Sequence, residues 1–312
     1  MAHPVRMKAL LRPLCVLFLL AGLFGMTASG FDRAAAQTHA APPATTTFEP
    51  CGGPVSCLTT SGRYRLRVPA GWDGQPGLPA LIFFHGWQET PEGILAMHEI
   101  TAFADAFDLV LVVPEGQGKT WSYPGSPSRH RDDFRFVAEV LDDVPKRFPV
   151  DVQRIWASGF SQGGSMVWNL ACEMPERFLA FAPVAGGFWE PLPERCKHAP
   201  TRIFHVHGTT DATVPMKGRS LRNGLWKQGD IAKGWSVLAR ANGCQFDLDE
   251  PFGHTAPDAG ADLPLACTPS RSCPANSAMM LCLHGGGHHV SSAYLESAWS
   301  WITTLTPAGV IR

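Results

Sequence analysis

The sequence predicts an α/β protein with a mostly parallel central sheet and helices on both faces. Three observations predict this fold class. Short apolar runs typical of buried strands alternate with segments of helical spacing along most of the chain. The motif Gly159-Phe160-Ser161-Gln162-Gly163 falls between one such strand and one such helix. Finally, an aspartate and then a histidine follow two later strands, and the loops after parallel strands meet at one edge of a sheet.

The strands are predicted from two hydrophobic patterns. Residues 63–68 alternate apolar side chains with arginines, as expected of an edge strand exposed on one face. The other predicted strands are continuous apolar runs of the kind that is buried on both faces. They cover residues 79–85, 109–113, 154–159, 179–185, 202–208 and 278–284.

The helices are predicted from apolar residues spaced three and four apart. They cover residues 91–107, 132–148, 166–172, 231–241 and 290–302. Between these elements, residues 115–131 form a long polar loop that we expect to border a site. Residues 246–274, rich in Pro, Asp and Ala, are predicted to be an irregular excursion held by disulfides. The sequence shows no internal repeat.

The N-terminal residues have the pattern of a secretory signal peptide. Arg6, Lys8 and Arg12 precede a short apolar run, and Ala36 ends a stretch of small residues. The apolar run is shorter than the roughly 20 residues of a membrane span. We therefore expect a signal peptide over residues 1–36, cleaved after Ala36 or alternatively after Gly30, a disordered lead-in over 37–50, and a single catalytic domain over 51–312. The expected localisation is secreted or periplasmic.

The cysteines agree with export. Removal of the signal peptide leaves eight, an even number that suggests disulfides in an extracytoplasmic chain. Cys51 and Cys57 are candidates for one small loop, and Cys172 and Cys196 for a second bridge. Pairing among the last four is not readable from the sequence, although Cys244–Cys273 with Cys267–Cys282 is our expectation. The chain contains no C-x-x-C pair, so a zinc site is disfavoured and no cofactor is expected.

The charge of the chain limits its expected partners. After signal cleavage 22 Lys and Arg remain against 26 Asp and Glu, so the chain is mildly acidic. This balance does not favour binding to nucleic acid or to an anionic membrane surface. The expected partner is a small-molecule or oligomeric substrate, with no membrane association after signal cleavage. The oligomeric state is left open.

Ser161 is the candidate nucleophile. A tight turn from strand to helix requires small residues at positions 159 and 163, and it exposes the serine hydroxyl at the edge of the sheet. The alternative is a glycine-rich turn without a catalytic role, which the flanking strand and helix disfavour. A serine hydroxyl needs a base to take its proton, and that base is usually a histidine oriented by a carboxylate.

Asp211 and His288 are the candidate partners of Ser161. Asp211 lies in a turn just after the strand at 202–208, where an Asx turn or helix cap is the alternative interpretation. Asp230, Asp247 and Asp249 are rivals that follow no convincing strand. His288 comes after the last strand and three glycines. A metal cluster of His284, His288 and His289 is the alternative, although glycine linkers preorganise ligands poorly.

The candidate oxyanion hole consists of two backbone N–H groups. Gln162 follows the nucleophile, and Trp87 lies in the loop after the strand at 79–85. His85 is expected to support that loop. Trp87, Trp121 and Trp189 fall in or near loops that are able to wall a pocket. Trp121 is the substrate-binding candidate, and packing of the loop is an equal alternative for each of the three tryptophans.

From about Cys51 to its end, the chain resembles the secreted polyhydroxybutyrate depolymerase-like and feruloyl esterase-like proteins. The matching segments are His85-Gly86, Gly159-Phe160-Ser161-Gln162-Gly163-Gly164, His207-Gly208-Thr209-Thr210-Asp211 with Val214-Pro215, Asn242-Gly243-Cys244 and Gly285-Gly286-Gly287-His288. The resemblance implies an α/β-hydrolase fold with Ser161, Asp211 and His288 as the triad.

Two departures from that family bear on the substrate. A Trp-Pro pair often follows the family's histidine, whereas His289-Val290 stands here. Enzymes that act on solid polymer usually add a linker and a separate binding domain, and we expect neither in this chain. The expectation is therefore a secreted serine esterase for short hydroxyalkanoate oligomers or for feruloyl and acetyl esters of plant walls. A serine peptidase of the same fold and a noncatalytic polysaccharide-binding protein are the alternatives.

Overall fold

A computed structural model describes residues 51–196, 201–246 and 264–305. These residues belong to one compact unit, Phe48–Arg312. The predicted signal peptide and lead-in lie outside the described residues. So do the rivals Asp247 and Asp249.

Eleven strands form within the described part of the chain. Nine of them build one sheet in the order β1-β2-β4-β3-β5-β6-β7-β11-β10, and the remaining two pair as a hairpin. Their bounds are β1 Cys57–Leu58, β2 Arg63–Arg67, β3 Leu78–Phe84, β4 Val110–Pro114, β5 Val150–Phe160, β6 Phe181–Val184, β7 Arg202–Gly208, β8 Arg219–Leu221, β9 Trp226–Gln228, β10 Ala266–Pro269 and β11 Ala278–His284.

Six α-helices accompany the strands over the same residues. Their bounds are α1 Pro91–Ala96, α2 His98–Ala106, α3 Asp133–Arg147, α4 Gln162–Glu173, α5 Ile231–Ala241 and α6 Ser292–Thr304. No helix among the described residues is both long and apolar enough to cross a bilayer.

The centre of the large sheet is parallel, and its margins are antiparallel. Strands β4, β3, β5, β6, β7 and β11 run in one direction, while β1 and β2 at one end and β10 at the other pair antiparallel. The central strands are buried on both faces, as their continuous apolar runs predict. The predicted α/β class is confirmed.

Helices cover both faces of the sheet because alternate residues of each central strand point to opposite sides. In β3, Ile82 and Phe84 belong to the core beneath α3, α4 and α5, whereas Leu81 and Phe83 belong to the core beneath α1, α2 and α6. The carboxyl ends of the parallel strands therefore share one edge, where their following loops converge.

Three sequence predictions need correction, and one hairpin lies outside all of them. The single helix expected over 91–107 is two helices, because Met97 has an extended conformation that ends α1. Residues 246–274 are not irregular throughout, since Ala266–Pro269 pair with β11 and obtain their ladder from that partner. The hairpin β8–β9 lacks an apolar pattern and was not predicted. In addition, β2 is not the outermost strand, because the two-residue β1 pairs with it.

Four disulfides tie the margins of the fold. They are Cys51–Cys57, Cys172–Cys196, Cys244–Cys273 and Cys267–Cys282. All four expected pairs are confirmed. Cys267 and Cys282 face each other across the antiparallel β10–β11 pair, so this bridge fastens the sheet edge next to the strand that leads to His288.

Removal of the Cys267–Cys282 bridge should destabilise the protein more than removal of Cys51–Cys57. The first bridge spans 15 positions of sequence and the second only 6. Loop-closure entropy predicts losses of about 3 and about 2 kcal/mol respectively. Urea unfolding of the two double Cys→Ala variants measures both. Equal losses, or a greater loss at Cys51–Cys57, would contradict the entropic account.

Candidate active site

Ser161 occupies a strained turn between β5 and α4. Its φ of 58° and ψ of −117° lie outside the conformations that L-residues ordinarily adopt. The Ser161 N–H donates to the carbonyl of Val184 in the neighbouring strand, at 3.0 Å, and its carbonyl accepts from Ser165 N–H at 2.9 Å. These bonds fix the turn from both sides and hold the side chain at the carboxyl edge of the sheet.

The turn passes so close to β3 that only glycine fits at the positions two residues before and two residues after Ser161. A Cβ on Gly163 would lie 1.9 Å from the carbonyl oxygen of Phe84, and a Cβ on Gly159 would lie 2.7 Å from the same atom. Both distances are below any real carbon–oxygen contact. The two glycines of the motif are therefore steric requirements of the helix–sheet contact.

Ser161, His288 and Asp211 are joined by hydrogen bonds although they are far apart in sequence. His288 Nε2 lies 2.9 Å from Ser161 Oγ, and His288 Nδ1 lies 2.7 Å from Asp211 Oδ2. An ionised carboxylate only accepts, so Nδ1 carries the proton and Nε2 accepts from the serine hydroxyl. In this arrangement the imidazole is able to take the Ser161 proton.

Asp211 is fixed and kept ionised by its surroundings. Its side chain is fully buried, and its Oδ1 accepts from the N–H groups of Thr213 and Val214, each at 2.8 Å. Burial by itself would raise the pKa of Asp211. The hydrogen bonds from His288 and Val214 outweigh burial and hold that pKa below its ordinary value. The predicted Asx turn and the contact with His288 thus occur together, one on each carboxylate oxygen.

The loop after β3 is locked by His85. Its ring is fully buried, its Nδ1–H donates to the carbonyl of Gly86 at 2.8 Å, and its Nε2 accepts from Gly116 N–H at 2.9 Å. Burial lowers the pKa of His85, which agrees with a neutral ring. Because the carbonyl of Gly86 and the N–H of Trp87 belong to one peptide plane, fixing the first directs the second to the opposite side.

The two candidate oxyanion donors have no competing acceptor. Within the described ranges, neither Trp87 N–H nor Gln162 N–H donates to another protein group. Gln162 is the first residue of α4, where the backbone N–H is unpaired by geometry. A Cβ on Gly86 would lie 3.6 Å from Ser161 Cβ, so the loop adjoins the nucleophile.

The sequence did not reveal Thr120 as part of the site. Its hydroxyl donates to Gln162 Oε1 at 2.8 Å and lies 2.6 Å from the hydroxyl of Ser128. Through these bonds the polar loop over 115–131 borders the nucleophile, as its composition suggested. Nothing local distinguishes Thr120 from the other polar residues of this loop, so only the folded chain identifies it.

The three candidate pocket tryptophans have different environments. Trp121 is fully buried, and its Nε1–H donates to the carbonyl of His85 at 2.8 Å. It supports the loop from inside, so the substrate-binding prediction for Trp121 is wrong for this structure. Trp189 is 7% exposed, whereas Trp87 is 67% exposed in the loop beside Ser161. Of the three, only Trp87 offers its ring to solvent.

The three C-terminal histidines contact different partners. His288 packs on the ring of Phe160 with 4.6 Å between ring centroids, a contact that the sequence did not reveal. His284 ends β11 and is buried, and its Nδ1 accepts from Gly286 N–H. His289 Nε2 lies 2.8 Å from the hydroxyl of Tyr294. The described residues contain no group of three or more His, Cys, Asp or Glu side chains arranged to hold a metal ion.

A strained serine at a strand-to-helix turn, bonded to a histidine and a buried aspartate, is the arrangement of α/β-fold serine hydrolases. Residues 58–236 match the Esterase family ("Putative esterase"). This match covers more than half of the chain and includes Ser161 and Asp211. The chain therefore belongs to this family.

Individual proteins are also similar to parts of the chain. A bifunctional acetylxylan esterase/xylanase from Neocallimastix patriciarum is 31% identical over 44% of this chain and 20% of its own length. Feruloyl esterase B from Piromyces equi is 26% identical over 72% of this chain and 42% of its own length. The chain thus spans less than half the length of both relatives.

A solved structure shows the same fold. The acetyl xylan esterase from Aspergillus awamori superposes with a TM-score of 0.56 over 77% of this chain and 93% of its own, at 14% sequence identity. The predicted α/β-hydrolase fold is confirmed.

The substitution Gly163→Ala should prevent the turn at Ser161 from forming as observed. The added Cβ would meet a backbone carbonyl that cannot rotate away, so we expect a loss of about 3 kcal/mol or more in the free energy of unfolding. Gly93→Ala in α1 is the matched control, because its Cβ would lie 3.6 Å from Thr90 Oγ1 and helical alanine gains about 0.5–1 kcal/mol. Urea unfolding of both variants measures the difference, and equal stabilities would contradict the steric explanation.

Proposed function

We propose that this protein is a serine carboxylic ester hydrolase that works through an acyl-enzyme, with Ser161 as nucleophile, His288 as general base and acid, and Asp211 as the residue that orients His288. The observation that carries the proposal is the continuous hydrogen-bonded path from Ser161 Oγ through the imidazole to the buried carboxylate. Membership in the Esterase family supports the reaction class.

In the acylation half, Ser161 Oγ attacks the ester carbonyl carbon as its proton passes to His288 Nε2. The carbonyl oxygen becomes an oxyanion, for which the free N–H groups of Trp87 and Gln162 are the proposed donors. The tetrahedral adduct then breaks its carbon–oxygen bond to the alcohol. The leaving alkoxide takes the proton from His288, and an acyl ester of Ser161 remains.

In the deacylation half, His288 takes a proton from water, and the resulting hydroxide attacks the acyl carbon. A second oxyanion forms at the same donors. Its collapse releases the carboxylic acid and returns the proton from His288 to Ser161 Oγ. Asp211 stays ionised throughout and stabilises the imidazolium that exists in each half, in agreement with its lowered pKa.

For the substrate, we propose plant-wall esters with a feruloyl or acetyl group, with short hydroxyalkanoate oligomers as the second choice. The names of the acetylxylan esterase/xylanase and of Feruloyl esterase B support the first choice. The second rests on the sequence resemblance alone. The exposed indole of Trp87 beside Ser161 supports an aromatic acyl group, because aromatic rings pack favourably on one another.

We further propose that the enzyme acts outside the cytoplasm. Four disulfides among the described cysteines support this location, since such bonds persist in oxidising compartments and are rare in the cytosol. The predicted signal peptide agrees with it.

The substitution Ser161→Ala should lower kcat for p-nitrophenyl acetate by about 10⁴-fold or more and abolish labelling by a fluorophosphonate, because the attacking oxygen is lost. Ser297→Ala, at a hydroxyl that donates to the carbonyl of Ala293 within α6, is the control and should retain both properties. Retained turnover in Ser161→Ala would refute the assignment. Failure of the wild-type protein to hydrolyse any ester would refute the proposed function itself.

The substitution Trp87→Ala should lower kcat/KM for methyl ferulate by about fivefold, the equivalent of about 1 kcal/mol of aromatic packing, and leave p-nitrophenyl acetate within about twofold. The backbone N–H of residue 87 is retained, so the chemistry at the carbonyl is unaffected. Val152→Ala, an exposed residue at the opposite end of β5, is the control. Equal losses on both esters would contradict a role in acyl recognition, and faster hydrolysis of hydroxybutyrate oligomers than of methyl ferulate would favour the second substrate class.

A further inference from the structure

Two buried histidines lie beneath the loop of Asp211 and take no part in the proposed reaction. His205 and His207 occupy alternate positions of β7, so their side chains share one face of the sheet. Both are fully buried. Buried imidazoles require hydrogen-bond partners, because an unsatisfied polar group in the core costs free energy.

The two rings form a hydrogen-bonded chain between α4 and the loop of Asp211. His205 Nδ1 lies 3.3 Å from Trp168 Nε1 and 3.0 Å from the carbonyl of Pro183. His205 Nε2 lies 3.1 Å from His207 Nδ1. At the far end, His207 Nε2 lies 2.8 Å from the carbonyl of Val214.

The partners determine which nitrogens carry protons. Among the described residues, both recorded partners of His207 Nε2 are acceptors, the carbonyl of Val214 and, at 3.7 Å, Asp211 Oδ2, so Nε2 donates. Burial lowers the pKa of both rings, which therefore hold one proton each. With Nε2–H of His207 donating to Val214, His207 Nδ1 accepts from His205 Nε2–H. His205 Nδ1 then accepts from the indole N–H of Trp168, which only donates, and the Pro183 carbonyl 3.0 Å from the same nitrogen receives no proton from it. The chain has one direction, from the indole of α4 to the Val214 carbonyl.

Val214 connects this chain to the carboxylate. Its carbonyl accepts from His207, and its N–H donates to Asp211 Oδ1 at 2.8 Å. The same carboxylate holds His288 through Oδ2. The end of the loop that supplies a hydrogen bond to Asp211 is thus fastened to β7 by one imidazole N–H, which lies on a rigid strand.

We propose that His207 is a positioning residue for Asp211: its Nε2–H holds the carbonyl of Val214, and this bond keeps the loop over 211–214 in the geometry that directs the Asp211 carboxylate at His288. The inference rests on the proposed function, because its effect is read in ester turnover. Other titratable groups near His207 are His205 on β7, His284 on β11, and Asp211 and His288 themselves.

Two substitutions at position 207 separate the donor from the rest of the ring. Glutamine places its amide nitrogen at the distance of imidazole Nε2, so His207→Gln keeps the donor to Val214. Asparagine reaches only as far as Nδ1, so His207→Asn keeps the acceptor for His205 and loses the donor to Val214. Both variants remove the same ring from the core. Any effect that comes from losing the ring itself should therefore appear in both.

The expected result is a difference in kcat between the two variants. With p-nitrophenyl acetate, and with enzyme concentration normalised by fluorophosphonate titration, His207→Asn should lose about 10- to 100-fold in kcat with KM within about twofold, because a small displacement of an orienting group has effects of that size. His207→Gln should keep kcat within about threefold of wild type. Thermal unfolding should show similar losses of stability for both.

A third variant covers failure of His207→Asn to fold. Trp235→Phe alters packing against His205, whose ring centroid is 6.1 Å from that of Trp235, without touching the donor to Val214. If His207→Asn does not fold, His207→Gln should have the same kcat as Trp235→Phe.

Several outcomes would overturn the inference. They are equal kcat in His207→Asn and His207→Gln, wild-type kcat in His207→Asn, or a tenfold loss in His207→Gln that Trp235→Phe does not share. Each leaves the proposed function standing if wild-type enzyme labels at Ser161 and turns over the ester. A wild type that does neither refutes the proposed function instead.

Discussion

The close contact between the turn at Ser161 and the end of β3 is the constraint on which the rest of the site depends. Because Gly163 lies against the carbonyl of Phe84, α4 begins directly on the sheet and its first free N–H groups face the serine. The strain at Ser161 is held by backbone bonds to Val184 and Ser165. A side chain at position 163 would lift the helix and remove both the exposed hydroxyl and the neighbouring N–H of Gln162.

The parallel sheet then brings together groups that the chain separates. Each central strand ends at the same edge, so the loops after β3, β5, β7 and β11 converge there. These loops carry the candidate donor, nucleophile, acid and base, one each. Strands at the margins have a different task. The antiparallel β10 and its disulfide to Cys282 secure the strand that leads to His288.

Buried neutral imidazoles serve as fixed hydrogen-bonding groups around the site. His85 holds the carbonyl of Gly86 and thereby turns the N–H of Trp87 away from it, and His207 holds the carbonyl of Val214 beneath Asp211. In each case burial lowers the pKa of the ring, so the ring presents one donor and one acceptor over the usual pH range. The carboxylate of Asp211 is buried beside these rings, and both of its oxygens accept hydrogen bonds.

The sequence by itself determined the fold class, the turn at Ser161, and the order in which Ser161, Asp211 and His288 follow their strands, because strand burial and steric limits on glycine are local properties. Tertiary structure decided which side chains meet. Trp121 and Thr120 belong to one polar loop, yet one is buried beneath His85 and the other bonds to the nucleophile's neighbour. Such assignments depend on contacts between distant segments, and no spacing within a single segment encodes them.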